Sequence, residues 1–196
     1  MSGTRIAGVV IALVALTLGA PAMASPAIGA GVATLPAMGS GNPYEDIQVG
    51  VSYTVYQPGT TRGIPQREVT TLDCAAGTEA SASATYSANR PQNQWYTGTY
   101  ITLLQGNPIC ADGVTGRQIA TARVNGQRAT VFIGCDGGTE TPCPRAPRSR
   151  LAQVGGTLEV TFPGRGGRPS TDIRMGFGGL TLGQALQVAR SLAPVG

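Results

Sequence analysis

The side chains that most often carry enzyme chemistry are scarce in this chain of 196 residues, which has no histidine and no lysine. Histidine is the usual general base, and a serine or cysteine nucleophile needs such a base beside it. No serine lies in a G-x-S-x-G turn. We therefore predict neither a catalytic triad nor any other catalytic residue.

Carboxylate pairs are the remaining option for acid–base catalysis, as in many glycosidases. Three pairs lie close in the sequence: Glu45 with Asp46, Glu68 with Asp73, and Asp136 with Glu140. We interpret these residues as solvated turn acids. A carboxylate-based extracellular glycan hydrolase stays open as the alternative function.

Arginine supplies all fourteen positive charges, and the formal net charge is +4. This excess is too small to indicate a nucleic-acid partner. Arg117, Arg123 and Arg128 are predicted to share one face of a β-ribbon, and three more arginines follow at 145, 148 and 150. Such a surface suits an acidic envelope protein, an anionic glycan or lipid headgroups. The alternative is that these arginines bind no partner and only keep the exposed end of the β-ribbon soluble.

Two further stretches are candidate binding elements. Trp95, Tyr96 and Tyr100 cluster around Gly98 and could form a platform for a sugar ring, although we favour a buried Trp95. The loop Gly164–Arg168 has two arginines and free backbone N–H groups that could contact an anion. It matches no nucleotide-binding fingerprint, and the alternative is an ordinary flexible loop.

Four cysteines, at 74, 110, 135 and 143, are an even number that predicts two disulfides in an exported chain. Three pairings are possible, and we favour the sequential one, Cys74–Cys110 and Cys135–Cys143. Because there is no C-x-x-C pair and no histidine, we predict neither a metal site nor a cofactor.

The N-terminus has the pattern of a secretory signal peptide. Residues 1–24 comprise one early arginine, an apolar run at Ile6–Ala20 and a small-x-small cleavage signal ending at Ala24. Residues 25–42, rich in Ala, Gly, Pro and Ser, are predicted to be a flexible leader, and 43–196 a single domain. We expect an extracellular or envelope location with no transmembrane segment in the mature chain.

The stretch Arg117–Cys135 predicts a β-hairpin, because Asn125-Gly126 between alternating segments is typical of a type I′ turn. The predicted register places a small, mostly apolar face on a core: Val124–Gln127, Ala122–Ala129, Ala120–Val131 and Gln118–Ile133. The other face pairs Arg123 with Arg128, Thr121 with Thr130, and Ile119 with Phe132.

Further strands are predicted from alternation and from β-branched or aromatic content. They are Asp46–Tyr56, Arg67–Cys74, Ser81–Ser87, Trp95–Gln105, Leu151–Val154, Thr157–Phe162 and a short strand through Ile173, Met175 and Phe177.

Near the C-terminus the apolar period changes to that of a helix. Leu182, Ala185, Leu186, Ala189 and Leu192 form one stripe, and Thr181 with Gln184 matches a capping box. The predicted fold is therefore α+β: an antiparallel sheet of about six to eight strands with one amphipathic helix packed on it.

The segment IRMGFGGLTLGQALQVARSL resembles the ending of several exported actinobacterial domains, in which a strand runs into G-L-T and a helix ends A-x-S-L. Arg190 occupies the x position. The chain is similar in style to small secreted proteins of an uncharacterised mycobacterial type. This resemblance implies an envelope or extracellular setting and supplies no catalytic residue.

Taken together, these features predict a secreted, non-enzymatic binding or interaction domain of the cell envelope. A small carrier of apolar ligands, with a cavity between sheet and helix, is the second alternative.

Overall fold

A computed structural model describes residues 39–89, 98–114, 116–134 and 148–196. Its helices are α1 (Pro43–Gly50), α2 (Leu151–Val154) and α3 (Leu182–Arg190). Its strands are β1 (Tyr56–Pro58), β2 (Gln66–Leu72), β3 (Ser81–Ser87), β4 (Tyr100–Gly106), β5 (Arg117–Val124), β6 (Gln127–Ile133), β7 (Gly156–Phe162), β8 (Thr171–Gly178) and β9 (Leu192–Pro194).

Seven of these strands form one antiparallel sheet in the order β2-β3-β4-β8-β7-β6-β5. The two short strands β1 and β9 pair separately. Along the central strands, alternate residues are fully buried and their neighbours are half-buried. This alternation defines a core face, and the predicted α+β fold with a mainly antiparallel sheet is confirmed.

The predicted hairpin is present, and Asn125 and Gly126 both have positive φ, 48° and 85°. The predicted pairs from Val124–Gln127 back to Ala120–Val131 are confirmed. Beyond them the prediction is wrong, because a β-bulge between Gln118 and Ala120 moves Gln118 opposite Phe132. An extra residue on one strand shifts every pair that follows it.

The predicted strand Asp46–Tyr56 is wrong, because its first half is the helix α1. Asn42 accepts a hydrogen bond from Tyr44 N (3.1 Å), and Pro43 is the first helical residue. Both are favourable at a helix start. The alternation that suggested a strand fails at Val49, which is 90% exposed.

Two other predictions differ from the structure. Leu151–Val154 was predicted to be a strand and is instead a single helical turn that ends at Gly155, whose φ is 78°. The helix α3 ends at Arg190, so Leu192 belongs to β9 instead of the helical stripe. The capping box of Thr181 and Gln184 is confirmed.

Above the core face, residues 51–58 run in a mostly irregular path that side chains hold in place. The Gln48 amide bonds to both Tyr53 O and Val55 N, at 2.9 and 2.8 Å. The Gln105 amide bonds to both the N–H and the C=O of Tyr56, each at 2.8 Å. These amides satisfy buried backbone groups that have no strand partner on that side.

The helix α3 packs against β5. Its most buried residues are Ala185, Val188 and Ala189, which have almost no exposed area. Among the residues that the structure describes, no helix is long and apolar enough to cross a bilayer.

Candidate functional site

The predicted disulfide Cys74–Cys110 is present, and it joins residues 36 positions apart. It ties the chain just after β2 to the loop that follows β4. In that loop, Cys110 N also donates to Ser81 Oγ at 3.0 Å. Cys135 and Cys143 lie outside the described residues.

Removing this disulfide should lower the free energy of unfolding by roughly 2–4 kcal/mol, because the bridge restricts the unfolded chain. The variant Cys74→Ala/Cys110→Ala isolates this effect without reducing any other bridge. Urea unfolding followed by circular dichroism measures it against the parent protein. An unchanged midpoint would contradict the prediction.

Three arginines meet at the turn of the β5–β6 hairpin, and we call them the basic tip: Arg123, Arg128 and Arg190. Arg123 lies opposite Arg128, and its Nη1 donates to Gly126 O at 2.9 Å. Arg190, in the last turn of α3, donates from Nε to Arg123 O at 3.1 Å. β5, β6 and α3 contain no aspartate or glutamate. Positive charge is therefore concentrated at the basic tip.

Arg117 is separated from this group by the β-bulge. It lies opposite Ile133, whose side chain is on the core face, and residues directly opposite share a face. The register thus places Arg117 on the other side of the ribbon from Arg123 and Arg128, contrary to our expectation. Arg148 and Arg150 are in a 3₁₀ turn before α2, and Arg145 lies outside the described residues.

Several acidic residues are located near β2, which is the edge strand at the opposite end of the sheet from the β5–β6 hairpin. Glu68 is on β2, the far edge strand, and α1 packs against β2. The acidic residues of this region are Glu45, Asp46, Glu68, Asp73 and Glu79. These carboxylates are near the edge of the sheet opposite the β5–β6 hairpin, so they weaken the positive potential at the basic tip less than nearby acids would.

The structure brings together a carboxylate pair that our sequence reasoning missed. Glu159 on β7 and Asp172 on β8 line one groove of about 280 Å³. Glu159 Oε1 pairs with Arg174 Nε at 3.0 Å, and Asp172 Oδ1 accepts from Thr161 Oγ1 at 2.6 Å. Only the β7–β8 register brings the two acids together, so sequence spacing carried no signal for them.

The carboxylate pairs predicted from the sequence lie elsewhere, and two of the three are within the described residues. Glu45 and Asp46 lie in the first turn of α1, where negative charge favours the helix start. Glu68 and Asp73 are exposed. Asp136 and Glu140 lie outside the described residues. Within the described ranges, no three histidine, cysteine or acidic residues are grouped to hold a metal ion.

Tyr100 is half-buried at the start of β4 and packs over Gly178 on β8. A Cβ added at Gly178 would overlap the Tyr100 ring. Burial raises the pKa of the Tyr100 hydroxyl. Tyr100 is therefore part of the packing of the sheet, while Trp95 and Tyr96 lie outside the described residues.

The loop Gly164–Arg168 joins β7 to β8. Arg168 Nη1 donates to Val51 O at 2.9 Å and lies 3.3 Å from Tyr53 O, so it anchors the segment after α1. Arg165 is exposed.

No protein-family model matches the chain, and comparisons with curated proteins and with solved structures give no match either.

Proposed function

We propose that this protein is an exported, non-enzymatic binding domain that attaches to an acidic component of the cell envelope through its basic tip. The observation that carries the proposal is the meeting of Arg123, Arg128 and Arg190 on elements without any acidic residue. Facing like charges cost stability unless a partner compensates them, and an anionic partner does so.

Export is supported by two independent features. Residues 1–24 have the pattern of a signal peptide. The bridge Cys74–Cys110 is of a kind that forms in oxidising compartments such as the cell exterior. An exported domain meets acidic polymers and headgroups at the envelope, so the charge of the tip and the expected location agree.

Binding to isolated envelope material tests the proposal. We expect the protein to be retained at low ionic strength and released as salt rises, because exposed charges are screened. The variant Arg123→Gln/Arg128→Gln should weaken binding roughly thirtyfold, at about 1 kcal/mol for each arginine near an anionic surface. Co-sedimentation at several salt concentrations gives the affinities.

The matched control is Arg67→Gln/Arg148→Gln, which removes two positive charges away from the basic tip. It should bind nearly as well as the parent. Treating the envelope with protease, glycosidase or detergent before the assay assigns the partner as protein, glycan or lipid. Absence of retention at low ionic strength would refute the proposal.

Glycan hydrolysis is the second candidate, favoured by Glu159 and Asp172 in one groove. Two carboxylates across a sugar bond can act as acid and nucleophile or base. Release of reducing sugar from envelope glycan, abolished by Asp172→Asn and by Glu159→Gln, would establish it. Activity that persists in both variants, or no activity in the parent, would exclude this pair.

A further inference from the structure

A second positively charged feature of the surface is built from residues other than those of the basic tip. It is a groove of about 290 Å³ between the end of α1, the β7–β8 loop and the segment after β9. Asn125, in the hairpin turn, donates from Nδ2 to Leu192 O at 2.8 Å, which ties the start of β9 to the hairpin. The groove is lined by Gln48, Thr54, Arg165, Gly166, Arg168, Pro194, Val195 and Gly196.

The two charged side chains of the lining are both arginines. Arg168 is held by hydrogen bonds from its Nη1 to the carbonyls after α1, so its guanidinium is fixed in position. The Arg165 side chain is exposed and makes no hydrogen bond or ion pair with the other described residues. Burial raises the pKa of the nearby Tyr56 hydroxyl, and the charge of Arg165 offsets part of that rise. Arg168 is therefore held in a fixed position, and the guanidinium of Arg165 is available to bind a ligand.

The backbone of the loop brings these arginines together. Arg168 N donates to Arg165 O at 2.9 Å, which closes a tight turn. The two residues between them, Gly166 and Gly167, have φ of 57° and 81°. Two successive positive φ angles suit glycine far better than other residues, so this loop is built as a turn that carries an arginine at each end.

Thr54 contributes an unsatisfied donor. The residue is 5% exposed, and among the buried side chains that the structure describes, its Oγ1 is the one polar atom without a hydrogen-bond partner. Its backbone carbonyl, in contrast, accepts from Thr171 Oγ1 at 2.8 Å. Buried hydroxyls nearly always bond to protein or to ordered water, so Thr54 Oγ1 keeps the capacity to donate one hydrogen bond.

We propose that this groove is an oxyanion site that binds a phosphate group. Phosphate offers several acceptor oxygens, which match two guanidinium groups and one hydroxyl donor. None of the side chains in the lining is acidic. This inference goes beyond the envelope binding proposed above, because none of the three tip arginines belongs to the groove.

Inorganic phosphate is the first probe, added at constant ionic strength while amide resonances are followed by NMR. We expect saturable shifts confined to residues around the groove, with Thr54 and Gly166 among the most affected. Chloride at the same ionic strength should not produce them. A parallel titration with dimethyl phosphate distinguishes a free phosphate from the phosphodiester of a polymer or lipid, and binding of either supports the site.

Two substitutions separate the groove from general charge effects. Arg165→Gln should weaken phosphate binding about tenfold or more, because it removes charge-assisted hydrogen bonds. Arg67→Gln removes the same charge elsewhere and should leave the affinity unchanged. Arg123→Gln/Arg128→Gln should also leave it unchanged, so failure of the groove and failure of the basic tip are distinguishable.

Thr54→Val tests the hydroxyl while keeping the shape of the side chain. The parent hydroxyl has no partner, so the variant should unfold at the same temperature as the parent or higher, yet bind phosphate more weakly. Unaltered phosphate affinity in both Thr54→Val and Arg165→Gln would overturn the proposal. Phosphate shifts that never saturate, or that chloride reproduces, would overturn it as well.

Discussion

Raising the pH above 10 should destabilise this protein steeply, because its buried tyrosines resist ionisation in the folded state. Burial is the largest cause that raises the pKa of Tyr44, Tyr53, Tyr56 and Tyr86 above the ordinary value of 10.0. For Tyr53 the pKa rises to about 12.

The direction follows from proton linkage. Above pH 10 the unfolded chain releases tyrosine protons that the folded chain keeps, so the unfolded state gains stability as pH rises. The full stability of the fold is present below pH 10 and is lost as pH rises through the folded pKa values. Each such tyrosine should cost about 1.4 kcal/mol for each pH unit in its window. Urea unfolding at a series of alkaline pH values measures the total slope.

The tyrosine pair provides an internal control. The hydroxyls of Tyr44 and Tyr86 are hydrogen-bonded to each other inside the protein. Tyr44→Phe/Tyr86→Phe removes both partners together, so neither is left buried without a bond. We expect stability near that of the parent at neutral pH and an alkaline slope reduced by about 3 kcal/mol per pH unit. An alkaline transition that coincides with that of the parent would contradict this explanation.

Replacing Gln105 with leucine should lower the free energy of unfolding by roughly 2–6 kcal/mol. Gln105 is fully buried on β4, and its amide is bonded to both backbone groups of Tyr56. Leucine has a similar volume but leaves that N–H and that C=O without partners. Each unsatisfied buried group costs roughly 1–3 kcal/mol. Urea denaturation gives the free energies of unfolding of variant and parent.

Gln118→Leu is the matched control, since Gln118 is an exposed residue of β5. It should change the free energy of unfolding by less than about 0.5 kcal/mol. If both variants unfold at the same urea concentration, the Gln105 amide does not hold residues 51–58 in place. A protected Tyr56 amide in hydrogen exchange of the parent, lost in Gln105→Leu, would locate the effect at this contact.

Local signals predicted much of the sheet. Asn125-Gly126 defines the hairpin, because positive φ at two successive positions is a requirement that few residue pairs meet. Ser81–Ser87 was predicted with the bounds that the structure has. Thr181 and Gln184 predicted the start of α3, because a capping box is made within one helical turn. These features depend on near neighbours in the chain.

At the start of the domain, a local pattern misled the prediction. The alternation from Ile47 to Val55 favoured a strand, and the helix start at Asn42-Pro43 was not recognised. Helix α1 buries Tyr44 and Ile47, and the Gln48 amide then holds Tyr53 and Val55 in the core without a strand. Hydrogen bonds from the Gln48 side chain take the place of a neighbouring strand here. The periodicity of apolar residues in the sequence does not predict such bonds.

The sequence established the kinds of charge this protein carries: arginines in place of lysines, no histidine, and a hairpin whose turn is flanked by Arg123 and Arg128. Only the tertiary structure added Arg190 to that turn, paired Glu159 with Arg174 and set Thr54 beside Arg165. Residue types and turns are local properties of the chain. Which distant side chains meet depends on the order of the strands, and in this sheet that order places the β5–β6 hairpin beyond β7 and β8 at one edge.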